Sequence, residues 1–197
     1  AYINLISNVL DHGCKEEGRN GITISTFGES MMFDLSDNTI PLLTTKKIAW
    51  KTCFRELMWF IRGQTNNTIL QTQGVKIWND NASRDFLDSR GLHHLRENDL
   101  GPVYGHQWRH FNGAYTDCDA DYTGKGVDQL KNVIGMLKDP AQRNSRRILM
   151  TAWNPCQNDV MALPPCHVMV QFKVTNHTHL SCILFQRSGD IGLGVPF

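Results

Sequence analysis

The chain lacks an apolar run long enough to cross a bilayer, which takes roughly 20 residues, and it opens on no basic segment followed by an apolar one. Those two absences make a soluble, cytoplasmic protein the expectation. An excess of either charge is also missing: 20 Lys plus Arg stand against 19 Asp plus Glu, for a net charge of +1. DNA binding is therefore not expected, and any basic patch must be local. Cysteine pairs with zinc spacing are absent. The six cysteines (14, 53, 118, 156, 166 and 182) are scattered, and neither His93-His94 nor His177/His179 has i,i+4 spacing beside a carboxylate. No metal is expected, and a chain of 197 residues has core enough to dispense with disulfides. The sequence contains neither GxGxxG nor a phosphate loop, which argues against a doubly wound nucleotide fold.

Periodicity supplies the elements. Apolar residues at 2, 3, 5, 6, 9 and 10 predict an amphipathic helix over 2–12, and Ser30–Leu35 reads as a strand. Trp50, Phe54, Leu57, Met58 and Ile61 keep a helical period that Gly63 stops. Shorter helical patterns cover Ser83–Arg90 and Val127–Leu137. After Arg147 the character changes: Ile148–Trp153, Val168–Val174 and Leu180–Phe185 read as strands, the last two joined by a turn at 175–178. Helices first and strands after predict an α/β (α+β) layer fold in one domain over 1–197.

The run Leu163-Pro164-Pro165-Cys166-His167 sets a thiol beside a base behind two stiffening prolines. Arginines flank it: Arg146 and Arg147 before, Gln186-Arg187-Ser188 after. Guanidinium forks match phosphate oxygens, and nearby positive charge favours a thiolate nucleophile. Read alone, Cys166 serves equally as a small buried hydrophobe. His167 follows it on an apparent strand, so the two side chains face apart and form no simple dyad. Glu56 sits at the edge of an apolar helical stripe, where desolvation would suit it to proton relay; a partner for Arg55 or Arg62 is the equal alternative. Trp78 and Tyr104 are candidates to meet a planar ligand, or simply core aromatics. Asp190 follows Arg187-Ser188-Gly189 and is placed either to bind a heterocycle or to pair with arginine.

Taken together these residues resemble the thymidylate synthase family. The likeness rests on PLLTTKK at 41–47, ELMWFIRG at 56–63, GVKIW at 74–78, SRDFLD at 83–88 and GPVYGHQWRHF at 101–111. It continues through DYTG at 121–124, RRILMTAWNP at 146–155, MALPPCH at 161–167 and FQRSGDIGLGVPF at 185–197. The resemblance implies a three-layer fold around a mixed, largely antiparallel β-sheet whose face forms a homodimer interface. It implies reductive methylation of dUMP to dTMP with 5,10-methylenetetrahydrofolate as co-substrate, releasing dihydrofolate. By that likeness Cys166 attacks C6 of the uracil so that C5 becomes nucleophilic. Glu56, Tyr104, Asn154 and His167 surround the reacting pyrimidine and its proton network. Arg19, Gln186, Arg187 and Ser188 bind dUMP within one subunit, and Arg146 and Arg147 reach the partner's site. Ile77, Trp78 and Asp190 address the reduced folate.

The sequence departs from the family pattern in places. The usual Arg-Thr-Gly-x-Gly-Thr loop reads Arg19-Asn20-Gly21-Ile22-Thr23-Ile24-Ser25, and the common Trp-Asp pair is Trp78-Asn79. The family continues past the residue matching Phe197, so a chain stopping there is expected to be inactive or poorly folded. A deoxycytidylate hydroxymethylase is the nearest alternative enzyme, and a noncatalytic nucleotide- or RNA-binding relative the alternative of another class.

Overall fold

The computed structural model describes residues 1–18 and 21–197, so Arg19 lies outside the described residues. They divide into two compact units: Ala1–Ile48 with Asp190–Phe197, and Ala49–Gly189.

In the first unit, helix α1 (Tyr2–His12) follows the expected period and buries Val9. Strands β1 (Cys14–Gly18) and β2 (Gly21–Ser25) form an antiparallel hairpin in the register Cys14↔Ser25 to Gly18↔Gly21. The expected strand at Ser30–Leu35 does not form, and Met32, Phe33 and Leu35 are exposed. A strand needs a partner ladder, and the hairpin pairs its two strands with each other. Asp190 turns the 190–197 segment, accepting the Leu193 N–H on Oδ1 at 2.6 Å, while its carbonyl accepts the Val195 N–H. Tyr2 and Lys46 hold the same segment by its carbonyls, donating to Ile191 and Gly192 respectively.

The second unit carries the core. Helix α2 (Trp50–Ile61) ends as its glycine predicts. Gly63 adopts φ +73 and donates to Phe60 O, while Gln64 donates to Trp59 O, the paired bonds of a Schellman stop. Its buried face differs from the expected stripe. Trp59 and Phe60 are buried, whereas Trp50, Phe54 and Leu57 are exposed. The reason lies in what docks there: Phe60 packs on Tyr104 and Trp108, and Trp59 on Trp78. Those partners pull the buried face partway round the helix.

Helices α3 (Asn67–Gln71) and α5 (Tyr104–His110) were not legible as periods. Helix α3 is a single turn capped by Asn66, and α5 buries Tyr104, Gly105, His106, Gln107 and Trp108 in succession, which leaves no polar face to mark it. Helix α4 (Arg84–Ser89) is capped by Ser83, and α6 (Gln129–Lys138) by Asp128. Asp128 also receives Arg109 of α5 bidentately, at 2.9 Å on each oxygen, fixing α5 to the start of α6.

Strands β3 (Leu149–Thr151), β4 (His167–Thr175) and β5 (His179–Gln186) make one antiparallel sheet in the order β3-β4-β5. Every strand pair among the described residues is antiparallel, and with the helices this is the expected α+β architecture. The sheet has two unlike faces. Met150, Val170 and Phe172 share the face packed on the core. Leu149, Gln171 and Ile183 align on the other, as do Met169 and Phe185, and there Leu149, Ile183 and Phe185 are exposed.

Candidate active site

Cys166 lies at the mouth of β4, half-buried, with both of its backbone polar groups fixed. Its N–H donates to Tyr104 Oη at 2.7 Å, and its carbonyl accepts the Arg187 N–H at 3.0 Å. Neither bond uses the thiol, so Sγ is held in place while remaining available for chemistry. The two prolines before it are held as well. Arg187 Nε donates to Pro165 O at 2.8 Å and Nη2 to Pro164 O at 3.0 Å, with the guanidinium 5.5 Å from the Trp153 ring centroid. That arginine thus holds the segment leading to Cys166, and among the described residues it pairs with no carboxylate. The Trp153 platform had no local sequence signal, because it comes from the segment after β3.

Tyr104 is the hub. It accepts the N–H of Cys166, makes a longer contact with the His167 N–H at 3.4 Å, and sets its ring 5.8 Å from the His167 imidazole. Burial pushes its phenol up to about 12, so it stays protonated and retains an O–H to donate. Burial likewise holds the His167 imidazole below its usual value, which leaves it neutral near pH 7. Across Tyr104 stands Trp78, edge-on at 6.3 Å, whose indole N–H donates to Glu56 Oε1 at 2.6 Å. Burial raises the Glu56 carboxyl to about 7, against the opposing pull of the Trp78 hydrogen bond. Glu56 is not the arginine partner that its neighbours in sequence suggested: Arg55 turns away to the Gln73 carbonyl.

The structure therefore brings Cys166, His167, Tyr104, Trp78, Glu56 and Arg187 into one connected group. Gln186 ends β5 opposite His167, and its amide donates to the carbonyl of exposed Ser188. Arg146 and Arg147 are exposed in a turn before β3, so they are not forced to opposite faces of a strand. Ile77 is 42% exposed beside buried Trp78. Asn154 lies in a buried amide network and makes no hydrogen bond to the connected group among the described residues. Its Nδ2 contacts the side-chain oxygens of Gln107, Asn112 and Gln157, and its Oδ1 accepts the Cys156 N–H. Asp190 belongs to the other unit and Arg19 is outside the described residues.

A family model described as thymidylate synthase matches residues 1–197, the whole chain. The chain belongs to the thymidylate synthase family. Relatives agree with that assignment. The chain is 52% identical over 198 residues to the bifunctional dihydrofolate reductase-thymidylate synthase of Leishmania amazonensis, matching all of this chain and 38% of that protein. It is 52% identical to the corresponding protein of Zea mays, covering 37% of it. It is 51% identical over 197 residues to a thymidylate synthase of human herpesvirus 8, covering 57%. The chain thus spans little more than a third of those two bifunctional relatives and over half of the viral one.

Proposed function

We propose that the protein is a folate-dependent methyltransferase, a thymidylate synthase that converts dUMP to dTMP with 5,10-methylenetetrahydrofolate and releases dihydrofolate. The observation that carries this reading is the connected group itself. A backbone-anchored thiol and a carboxyl whose ionisation lies near neutrality are linked through Tyr104 and Trp78, and Arg187, which pairs with no carboxylate among the described residues, donates its N–H to the Cys166 carbonyl. Covalent activation of an electron-poor ring carbon needs that combination: a nucleophile, a nearby group able to give and take a proton at pH 7, and a cation for the substrate's phosphate.

In this reading Cys166 Sγ adds to C6 of the pyrimidine, and its electrons pass through the ring toward O4. Glu56 handles the proton there, and Tyr104, still protonated, donates its O–H while steadying the thiol's backbone. His167 is neutral and serves as a polar neighbour, not as a cation. The reduced folate supplies the one-carbon unit and the hydride. Ile77 offers it an exposed apolar side chain beside Trp78, and Asp190 a carboxylate for its heterocycle. Arg187, Gln186, Ser188 and Arg19 are the dUMP ligands of the same subunit, and Asn154 completes the polar surroundings. Residues 1–197 are read as one catalytic domain.

Assembly follows from the sheet. The face bearing Leu149, Ile183 and Phe185 is apolar and exposed, and Gln171 on the same face donates to Arg146 O. A second copy covering this face makes a two-fold homodimer and carries Arg146 and Arg147 to the partner's site. Mixing a Cys166→Ala chain with an Arg146→Ala/Arg147→Ala chain tests the sharing. Random exchange should restore about a quarter of wild-type activity, because half of the dimers then hold one intact site. No recovery would place those arginines in their own subunit's site.

Tyr104→Phe should lower turnover at least about 10-fold and cost roughly 1–3 kcal/mol of stability, since the Cys166 N–H is left without its acceptor. Thermal unfolding and steady-state kinetics read the two effects. Product analysis with dUMP and dCMP decides the substrate: dTMP from dUMP supports the synthase, whereas hydroxymethylated dCMP indicates the deoxycytidylate enzyme. Nucleotide binding without either product indicates a noncatalytic relative.

A further inference from the structure

We propose that Asn79 is a positioning residue for the Trp78–Glu56 pair, acting through a four-amide cluster with Asn67, Gln71 and Asn98. The proposal deepens the catalytic reading above and rests on it only for its kinetic arm. Two amide groups donate and two accept. Asn67 Nδ2 lies 3.1 Å from both Asn79 Oδ1 and Asn98 Oδ1. Gln71 Nε2 lies 3.1 Å from Asn79 Oδ1 and 3.0 Å from Asn98 Oδ1. Each acceptor oxygen thus takes two N–H groups and each donor serves two oxygens, a closed square without net charge.

Asn67 is fully buried, and its own Oδ1 has no partner among the described residues. Its amide nitrogen is committed to both acceptors, so losing one leaves a buried donor without its partner. Backbone bonds bind the same three segments. Asn67 N–H donates to Asn98 O, Asn98 N–H to Ala82 O, and Ala82 N–H to Trp78 O, each at 2.9 Å. Asn98 adopts φ +70 to close that path, a conformation asparagine tolerates better than most residues.

The square is one side of a longer circuit. Trp78, next to Asn79, donates to Glu56 on α2. One helical turn on, Trp59 donates its indole N–H to the carbonyl of Asn66, the residue before Asn67, at 3.1 Å. The Trp59 indole of α2 is thus tied directly to the start of α3, and the Trp78 indole that meets α2 is tied to it through Asn79. The residue is also where this chain departs from the Trp-Asp pair common in the family it resembles.

Indole N–H resonances of the uniformly ¹⁵N-labelled protein, recorded without substrate at a pH where Glu56 is ionised, test the positioning directly. Trp78→Phe assigns the Trp78 signal. In Asn79→Leu, which keeps the size and removes the acceptor, that signal should move upfield toward the position of a water-exposed indole. Asn79→Asp, which still accepts from Asn67 and Gln71, should leave it in place. Gln71→Leu, at the exposed side of the square, should give a smaller shift in the same direction and serves if Asn79→Leu does not fold. An unmoved Trp78 signal in a folded Asn79→Leu or Gln71→Leu protein overturns the proposal. In the kinetic arm, Asn79→Leu should lower kcat about 10-fold with little change in KM for dUMP, and Asn79→Asp should restore it. A moved resonance with no dUMP turnover even in the parent protein would sink the catalytic reading and leave the positioning intact.

Discussion

Cys166→Ala will fold normally and lose dTMP formation by more than about 10⁴-fold, the scale expected when a covalent nucleophile is removed from a group that acts as a unit. Folding survives because the structure anchors this residue through its N–H and carbonyl, which alanine retains. The change in stability should stay within about 1 kcal/mol. Cys166→Ser makes the sharper comparison. It keeps the shape and a polar atom, yet a hydroxyl lacks the thiolate's ease of attack and of departure. Among the other thiols, burial raises those of Cys53 and Cys182, and Cys118 is pushed up to about 11. Cys118→Ser should therefore leave turnover unchanged. Steady-state assays of these variants, with thermal unfolding as the folding control, check the set.

Glu56→Gln will exchange activity for stability. The unfolded chain ionises this carboxyl near 4.5, whereas the folded protein holds the proton to about 7. Between those values the folded state binds a proton that the unfolded state has released, so stability falls as pH rises through the window. Above pH 7 the full penalty remains, on the order of 1–3 kcal/mol for a half-buried group shifted this far. Glutamine has the same shape and can still accept the Trp78 N–H, but it carries no charge. The variant should be more stable than the parent by about that amount at pH 8 and equal to it at pH 4. Turnover should drop by roughly 10²–10⁴-fold as the proton relay is lost. Denaturant unfolding at the two pH values reads the stability difference. A variant less stable than the parent at pH 8 would mean that the carboxylate is well solvated or paired in the folded state.

The local signals in the sequence served unevenly, and for identifiable reasons. Helices α1, α2, α4 and α6 and the three strands of the larger sheet were legible, because each has a period or a stop signal of its own. Helix α5 was not, since its residues are buried on all sides. Its first residue, Tyr104, is nevertheless the hub of the site. The strand expected at Ser30–Leu35 had the composition of a strand and no partner to pair with. The exposed Trp50, Phe54 and Leu57 show the same limit: a helical period reveals that a helix has an apolar side, and only the docking partners decide how far round it is buried. At the site, Cys166 and Arg187 were visible through motif and spacing, but the way Arg187 grips the carbonyls of Pro164 and Pro165 depends on tertiary contact. So does the Trp78–Glu56 bond, which joins residues 22 apart in sequence and gives a different partner to a carboxylate whose neighbours suggested a salt bridge. The Asn154 amide is engaged by Gln107, Asn112 and Gln157, a network that composition cannot reveal.

The most direct test of the central claim is intact-mass measurement after incubating the protein with 5-fluoro-dUMP and 5,10-methylenetetrahydrofolate. If Cys166 adds to C6 of the pyrimidine and the folate joins at C5, the fluorine blocks the release that follows. The mass should then rise by the sum of nucleotide and folate, and the gain should be absent in Cys166→Ala. A folded, dimeric protein that shows no adduct under these conditions would contradict the account.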